Sequence, residues 1–480
     1  MKSDREDSHS LTVVVPERFA PVLAELADVS ALFRAAGKRL YLVGGSVRDL
    51  LIGEPAESID FDATTDARPE ETKKILAPWA EALWTQGEKF GTIGARKGDR
   101  VYEITTHRAD AYHPDTRKPD VEFADEIETD LSRRDFTINA MALELTADAP
   151  TLIDPFNGVS DLMTKVLRTP LDPDISFSDD PLRMIRAARF IARFGTVPTL
   201  ELVDAVKASV DRLDIVSAER IRDELNKLIV VDSPTAGLWF LVETGLADKF
   251  LPELPSMRLE NDPIHRHKDV LTHTLAVIEN VRPGLHSDFD FRITRLAALF
   301  HDVGKPRTRG FQEGKGTTFH MHDVVGAKMT RKRLQALKFP NEDIEAVTEL
   351  VRLHLRFHTY EMGWTDSAVR RYVNDAGPLL DELNVLTRCD CTTRNERKAA
   401  RLSRRMDELE ERIADLAARE ELKAIRPEMD GVAVMEHLGL EPGPAVGRAM
   451  NHLLEIRLEE GLIGETEIRK RLDEWWATAG

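Results

Sequence analysis

The sequence predicts an α+β protein, a mixed α/β head followed by an all-helical remainder. From about Phe19 to Thr169 strand and helix patterns alternate, and Thr92 to Lys97 and Arg100 to Thr105 alternate about Gly98-Asp99, a hairpin turn pair. After Asp180 the strand signals all but vanish. Stretches rich in Pro, Gly and Asp punctuate the chain at Pro170 to Asp180, Leu251 to Pro255 and Leu440 to Pro444. The expected organisation is a loose polar segment over 1–18, the head over 19–169 and a helical neck over 170–255. A histidine-rich helical domain over 256–394 and a charged helical tail over 395–480 complete it.

In the head, Arg39 to Val43 reads as a buried strand running into Gly44-Gly45, where the backbone can approach a ligand closely. A helix starts there, and its free N–H groups favour an anion. Asp60-Phe61-Asp62 follows; on a strand the two carboxylates share one face and the Phe takes the other. Two hard oxygen ligands at that spacing suit Mg²⁺ bridging nucleotide phosphates. Glu103, on the neighbouring strand, is a candidate third acid. In Arg133-Arg134-Asp135-Phe136-Thr137-Ile138-Asn139-Ala140 the adjacent arginines can clamp phosphates, and Asp135 and Asn139, read as four apart on a helix, could reach a ribose. At the start of the neck, Asp180 is the candidate N-cap and Pro181 the first helical residue. Asp180 and Arg183 then stand side by side on one turn. Such a pair takes a base with an exocyclic amine, C or A, and repels the carbonyl of U or G, at about 1–3 kcal/mol per contact. Ser217 caps a further helix from Ala218 to about Val230.

Composition bounds the function classes. Hydrophobic content of 42% over 480 residues allows sizeable cores, no apolar run reaches membrane length, and the N-terminus is polar rather than a signal peptide. The two cysteines, Cys389 and Cys391, read as plain thiols in a reducing cytoplasm. A net charge of −18 argues against a protein that coats nucleic acid, but leaves room for local basic tracks. Candidates are Arg183, Arg186, Arg189 and Arg193 at helical spacing, Arg331-Lys332-Arg333, and the run from Arg394 to Arg405. No internal repeat, no membrane attachment and no protein partner are evident in the sequence.

With these motifs in order, the chain resembles the bacterial-type (class II) tRNA nucleotidyltransferases, the CCA-adding enzymes and their poly(A) polymerase relatives. The matching stretches are Gly44-Gly45-Ser46-Val47-Arg48-Asp49, Asp60-Phe61-Asp62, Arg133 to Ala140, Asp154-Pro155-Phe156-Asn157-Gly158, Asp179-Asp180-Pro181-Leu182-Arg183 and Ser217-Ala218-Glu219-Arg220. The resemblance implies a polymerase-β-like head that uses Mg²⁺, CTP and ATP to build the 3′-CCA of tRNA, with pyrophosphate leaving toward the glycine turn. It implies that Asp60 and Asp62 bind the catalytic metals, with Glu103 remaining the candidate third acid. It also implies that Arg133, Arg134, Asp135 and Asn139 hold the sugar and phosphates of the nucleotide and that Asp180 and Arg183 read the base; Gly44, Gly45, Arg48, Arg186 and Arg189 are further candidates for nucleotide binding. Asp154 to Gly158, and the stretch around Asp115 and Arg117, resemble elements that shift between C and A addition. One departure stands out: Asp179 occupies a position where the family usually has Glu. Gly87-Glu88-Lys89-Phe90-Gly91-Thr92 resembles the CCA-adding pattern more than the poly(A) polymerase one, and CC-only or A-only addition stays open.

Leu299 to Pro306 resembles the HD superfamily of metal-dependent phosphohydrolases. His273, His301, Asp302 and Asp390 are the expected ligands of a divalent metal of open identity, and His322 and His354 could add a second. An alternative reading makes this site dominant, as a phosphohydrolase acting on RNA ends. His265, His267 and His320 read as surface residues.

Overall fold

Strand β1, Leu40–Val43, is buried on both faces and forms the spine of the head. Its apolar run has the pattern of a central strand. The computed structural model describes residues 16–85, 91–113, 116–259, 269–286, 288–313, 316–359, 364–393, 395–420 and 425–479. The expectations for 1–15, Gly87 to Phe90, Asp115, His265, His267 and Arg394 lie outside these residues, as does the side chain of Arg117. The chain forms two compact units, Met1–Phe250 and Leu251–Gly480.

The first unit holds a seven-stranded sheet in the order β3-β4-β5-β2-β1-β8-β9. Here β2 is Phe61–Thr65, β3 Ala82–Trp84, β4 Thr92–Lys97, β5 Arg100–Thr106, β8 Ala142–Glu144 and β9 Thr151–Ile153. Strands β2 and β5 pair in parallel and the other neighbours antiparallel, so the sheet is mixed as expected. Strands β6, Arg108–His113, and β7, Thr116–Phe123, form a separate hairpin.

Three expectations need correction here. The stretch from Pro170 to Asp180 is not simply a linker: Pro173–Asp179 is a helix, because Asp172 caps it through the Asp174 N–H and Pro173 supplies a first-turn φ. The next helix, Leu182–Phe194, starts one residue later than predicted, with Pro181 as N-cap, although Asp180 Oδ1 still accepts from the Leu182 N–H at 3.2 Å. Ser217 does occupy the N-cap of Ala218–Ile229, but its side chain makes no capping hydrogen bond.

Among its described residues the second unit is helical except for a hairpin, Arg309–Gln312 with Gly316–Phe319, which the sequence reading missed. Its tail packs a core of Val434, Leu453, Ile468 and Leu472. Among the described residues no helix is long and apolar enough to cross a membrane.

Candidate active site and metal centre

Strand register assembles the acidic cluster of the head. Asp62 lies directly opposite Glu103 in the parallel β2–β5 pair. Asp60, Asp62 and Glu103 are exposed, while Phe61, Tyr102 and Ile104 are buried, so the alternation read from the sequence holds. The surrounding atoms, then the Glu103 carboxylate, push the Asp62 carboxyl above its usual range, against the pull of Arg134. Carboxylates gathered with their negative charges in mutual repulsion fit a hard divalent cation.

The glycine turn is tied to this strand by a residue the sequence reading left without a role. Ser46, in helix Gly45–Ile52, donates to the Asp60 carbonyl at 2.6 Å and accepts from the Asp62 N–H at 3.3 Å. Gly44 has φ +66°, and a Cβ there would lie 2.6 Å from Arg134 Nη1. What the glycine admits in this structure is the Arg134 guanidinium, brought against the turn.

Asp130, also missed, organises the paired arginines. It is fully buried and accepts from Arg133 Nη2 at 2.8 Å and Arg134 Nη2 at 3.1 Å. Burial opposes its ionisation, but Arg133 and Arg134 overcome that and hold the carboxyl well below the usual range. The i,i+3 and i,i+4 spacing was a legible signal.

Asp135 and Asn139 do not share a helix. Helix Ile127–Ser132 ends before them, Phe136 is extended, and Thr137–Asn139 is a single 3₁₀ turn. Side chains hold the bend: Asn139 Nδ2 donates to Asp135 Oδ1 at 2.8 Å, and the Phe136 N–H to the same oxygen at 2.9 Å. Asp135 Oδ2 accepts from Arg186 Nε at 2.8 Å. Arg186 also faces Glu224, which takes Arg189 Nε at 2.7 Å. Arg183, Arg186 and Arg189 of Leu182–Phe194 are therefore neither a solvated face nor an open basic track, whereas Arg193 is exposed, 3.8 Å from Asp49. Arg183 and Arg189 are 8% and 9% exposed, and Arg186 and Arg189 are engaged with acids that single-sequence spacing could not reveal. Arg48 is likewise buried, paired with Asp49, bonded to Asn139 Oδ1 and lying over the Phe194 ring at 4.6 Å.

Asp180 and Arg183 have separate anchors rather than each other. Arg220 Nη2 donates to Asp180 Oδ2 at 2.7 Å. Arg183 donates to Ser176 Oγ at 2.8 Å and to the Arg133 carbonyl, which links the turn that carries Asp180 to the paired arginines. Asp154 caps helix Gly158–Thr164 through the Gly158 and Val159 N–H groups at 2.6 and 2.9 Å.

In the second unit the predicted histidines and aspartates converge from helices distant in sequence. His273 lies in Val270–Asn280, His301-Asp302 at the end of Phe291–Phe300, His322 at the start of His322–Ala336, His354 at the end of Asn341–Leu353, and Asp390 at the end of Leu380–Asp390. His273 Nε2 is 2.9 Å from Asp390 Oδ1, and His301 Nε2 is 3.3 Å from Asp302 Oδ2. His273, His301 and Asp302 form one group able to hold a metal, and Asp302, His322 and His354 another. Burial, then the neighbouring His301, pushes His354 down to about 4 and keeps it a neutral imidazole. Gly304 permits the approach of His322, since a Cβ there would lie 2.1 Å from the His322 carbonyl oxygen. Both thiols are free, with Cys389 buried.

Comparison with known proteins gives the family. Residues 40–168 match the family "Poly A polymerase head domain", 199–257 "Probable RNA and SrmB- binding site of polymerase A", and 270–423 "HD domain". An A-adding tRNA nucleotidyltransferase of Deinococcus radiodurans is 32% identical over 447 residues, covering 91% of this chain and 95% of its own. A CCA-adding enzyme of Lactobacillus helveticus is 38% identical over 229 residues, 48% of this chain and 53% of its own. The crystal structure of the Bacillus stearothermophilus CCA-adding enzyme in complex with CTP superposes with a TM-score of 0.68 at 25% identity, covering 97% of this chain and 99% of that one. With its near full-length relative and its matching head domain, the chain belongs to the bacterial-type (class II) tRNA nucleotidyltransferase and poly(A) polymerase family.

Proposed function

We propose that this chain extends tRNA 3′ ends without a template, adding C, C and A from CTP and ATP and releasing pyrophosphate. The observation that carries the reading is the pairing of Asp62 with Glu103, beside Asp60 and facing the Arg134 charge. Mg²⁺ is the metal we assign to these carboxylates, where it would favour loss of the 3′-hydroxyl proton and neutralise charge at the α-phosphate. Arg133 and Arg134, held by Asp130, donate to the triphosphate, and Gly44 leaves room for the second of them. Asp135 and Asn139, braced by Arg186 and Arg48, contact the sugar. Asp180 accepts from the exocyclic amine of C or A through lone pairs left over from Arg220 and the Leu182 N–H. Arg183 reads the adjacent ring acceptor. Work on tRNA implies a cytoplasmic location.

A second reading, addition of the terminal A alone, is favoured by the near full-length Deinococcus relative. Two tRNA transcripts separate them, one lacking CCA and one ending in CC. Full CCA addition extends the first with CTP and the second with ATP. A-only addition extends only the second, and long A runs on either would mean a poly(A) polymerase.

A further inference from the structure

We infer that Asp161, through its hydrogen bond to Thr137, is a positioning residue that makes the sugar pocket of the head select ribonucleotides over 2′-deoxyribonucleotides. The inference rests on the reading of Asp135 and Asn139 as sugar contacts.

Asp161 lies within helix Gly158–Thr164, outside the motifs read from the sequence, and is buried. Its Oδ2 accepts from Thr137 Oγ1 at 2.6 Å and from Arg168 Nε at 3.0 Å. A hydroxyl bonded to a carboxylate is among the stronger hydrogen bonds. Two further contacts grip the same threonine. The Thr137 N–H donates to the Arg168 carbonyl at 2.9 Å. Its own carbonyl faces Gly158, where a Cβ would lie 2.2 Å from the oxygen. The hydroxyl, N–H and carbonyl of one buried residue are thus all held by the segment 158–168. That segment is firmly placed: Asn157 and Lys165, at the two flanks of the helix, are non-glycine residues at φ +57° and +56°. Such a backbone persists only where its surroundings over-determine it.

Thr137–Asn139 is a lone 3₁₀ turn entered from the extended Phe136, so the place of Asn139 depends on where Thr137 is held. The Asn139 amide has two N–H groups and two lone pairs. Asp135 Oδ1 takes one N–H at 2.8 Å, and Arg48 Nη1 takes one lone pair. One donor and one acceptor are left, the complement of a hydroxyl, which both donates and accepts. A ribose 2′-hydroxyl meets that pair, and a 2′-deoxy sugar leaves it unpaired in a buried site. Discrimination of this sort is sharp when the site is held to within about 0.5 Å. Asp161 supplies that hold from behind, through Thr137.

Two observations separate this role from plain packing. A threonine hydroxyl is readily satisfied by the backbone one turn back, as those of Thr164 and Thr244 are. Thr137 instead reaches a carboxylate 24 residues away. Arg168, half exposed, gives Asp161 a partner with or without that hydroxyl, so the bond to Thr137 is not needed merely to keep the carboxylate paired.

The test sets CTP and ATP against their 2′-deoxy forms on the full-length chain. It reads kcat/KM on tRNA transcripts lacking CCA or ending in CC, and affinity by equilibrium dialysis. The parent should favour the ribonucleotide by at least about tenfold. Thr137→Val, which keeps the shape but not the donor, and Asp161→Ala should each bring the preference below about threefold, and the double variant no further. Thr137→Ser should retain it. The choice of C and A over U and G should stay as in the parent throughout, a split that general loss of folding would not give. Variants that keep the parent's sugar preference, or that lose ribo- and deoxyribonucleotides equally, would overturn the inference. So would a parent that binds both sugars alike or neither. A parent that binds with the expected preference but leaves both tRNAs unextended would count against the nucleotidyltransferase reading alone.

Discussion

The two candidate metal centres of this chain are built on opposite plans. In the head, the acids Asp60, Asp62 and Glu103 are exposed, all oxygen donors, and set by strand register. In the helical unit, His301, Asp302 and His354 are 1–2% exposed, are fixed by backbone carbonyls or neighbouring ligands, and stand at helix ends. Open carboxylates suit a hard, exchangeable ion that arrives with nucleotide phosphates. Buried imidazoles suit a resident metal of the transition series. Ligand type and burial would let one chain keep two metal chemistries apart.

The comparison breaks most visibly if the head acids are not essential. Asp60→Ala should cut nucleotide addition by at least roughly a thousandfold while tRNA binding, read by gel shift, survives. Metal content of the helical unit should not change. Appreciable turnover in this variant would remove the metal assignment. Next in size, Asp130→Ala leaves Arg133 and Arg134 without their buried partner. A loss of about 3 kcal/mol in urea unfolding of the head is expected, together with a raised KM for both nucleotides. A variant with wild-type KM would separate the clamp from phosphate binding.

A head histidine that is no ligand sharpens the contrast with those that are. His107 Nδ1 bonds Thr64 Oγ1 at 2.8 Å, and burial pushes its pKa down to about 4. The unfolded chain then binds this proton first, so the stability is present above pH about 6.5 and lost as pH falls toward 4, amounting to about 2 kcal/mol by pH 5. Thermal melts of His107→Gln should show a smaller drop in head Tm between pH 7 and 5 than the parent. Equal drops would assign the acid sensitivity elsewhere.

The smallest effects test the glycines of each centre. Gly304→Ala sets a Cβ 2.1 Å from a backbone carbonyl, and should cost about 2 kcal/mol. Gly44→Ala meets only the end of the Arg134 side chain, and with its positive φ should cost about 1 kcal/mol. Melting curves showing the reverse order would mean that the turn at Gly44 is the stiffer of the two.

Much of both centres was legible because it rests on short-range pattern. Alternation about Phe61 placed Asp60 and Asp62 on one face, and the Gly98-Asp99 turn aligned the hairpin that carries Glu103. The His-Asp pair with distant histidines announced the helical site. What stayed hidden was what holds these residues. Glu224 under Arg186 and Arg189, and Arg220 on Asp180, are contacts between helices, fixed by tertiary packing rather than spacing. The helix read through Asp135 and Asn139 failed because side-chain hydrogen bonds stabilise a bend in place of a regular turn. The hairpin at Arg309–Phe319 was missed because its strands are four residues each and one is fully exposed, leaving no apolar alternation to read.

The most direct measurement incubates the purified full-length chain with Mg²⁺, all four nucleoside triphosphates and a tRNA transcript ending before its CCA, then sequences the 3′ ends. Ends that finish at CCA and stop there, with U and G rejected, are expected. Ends left unextended would contradict CCA addition.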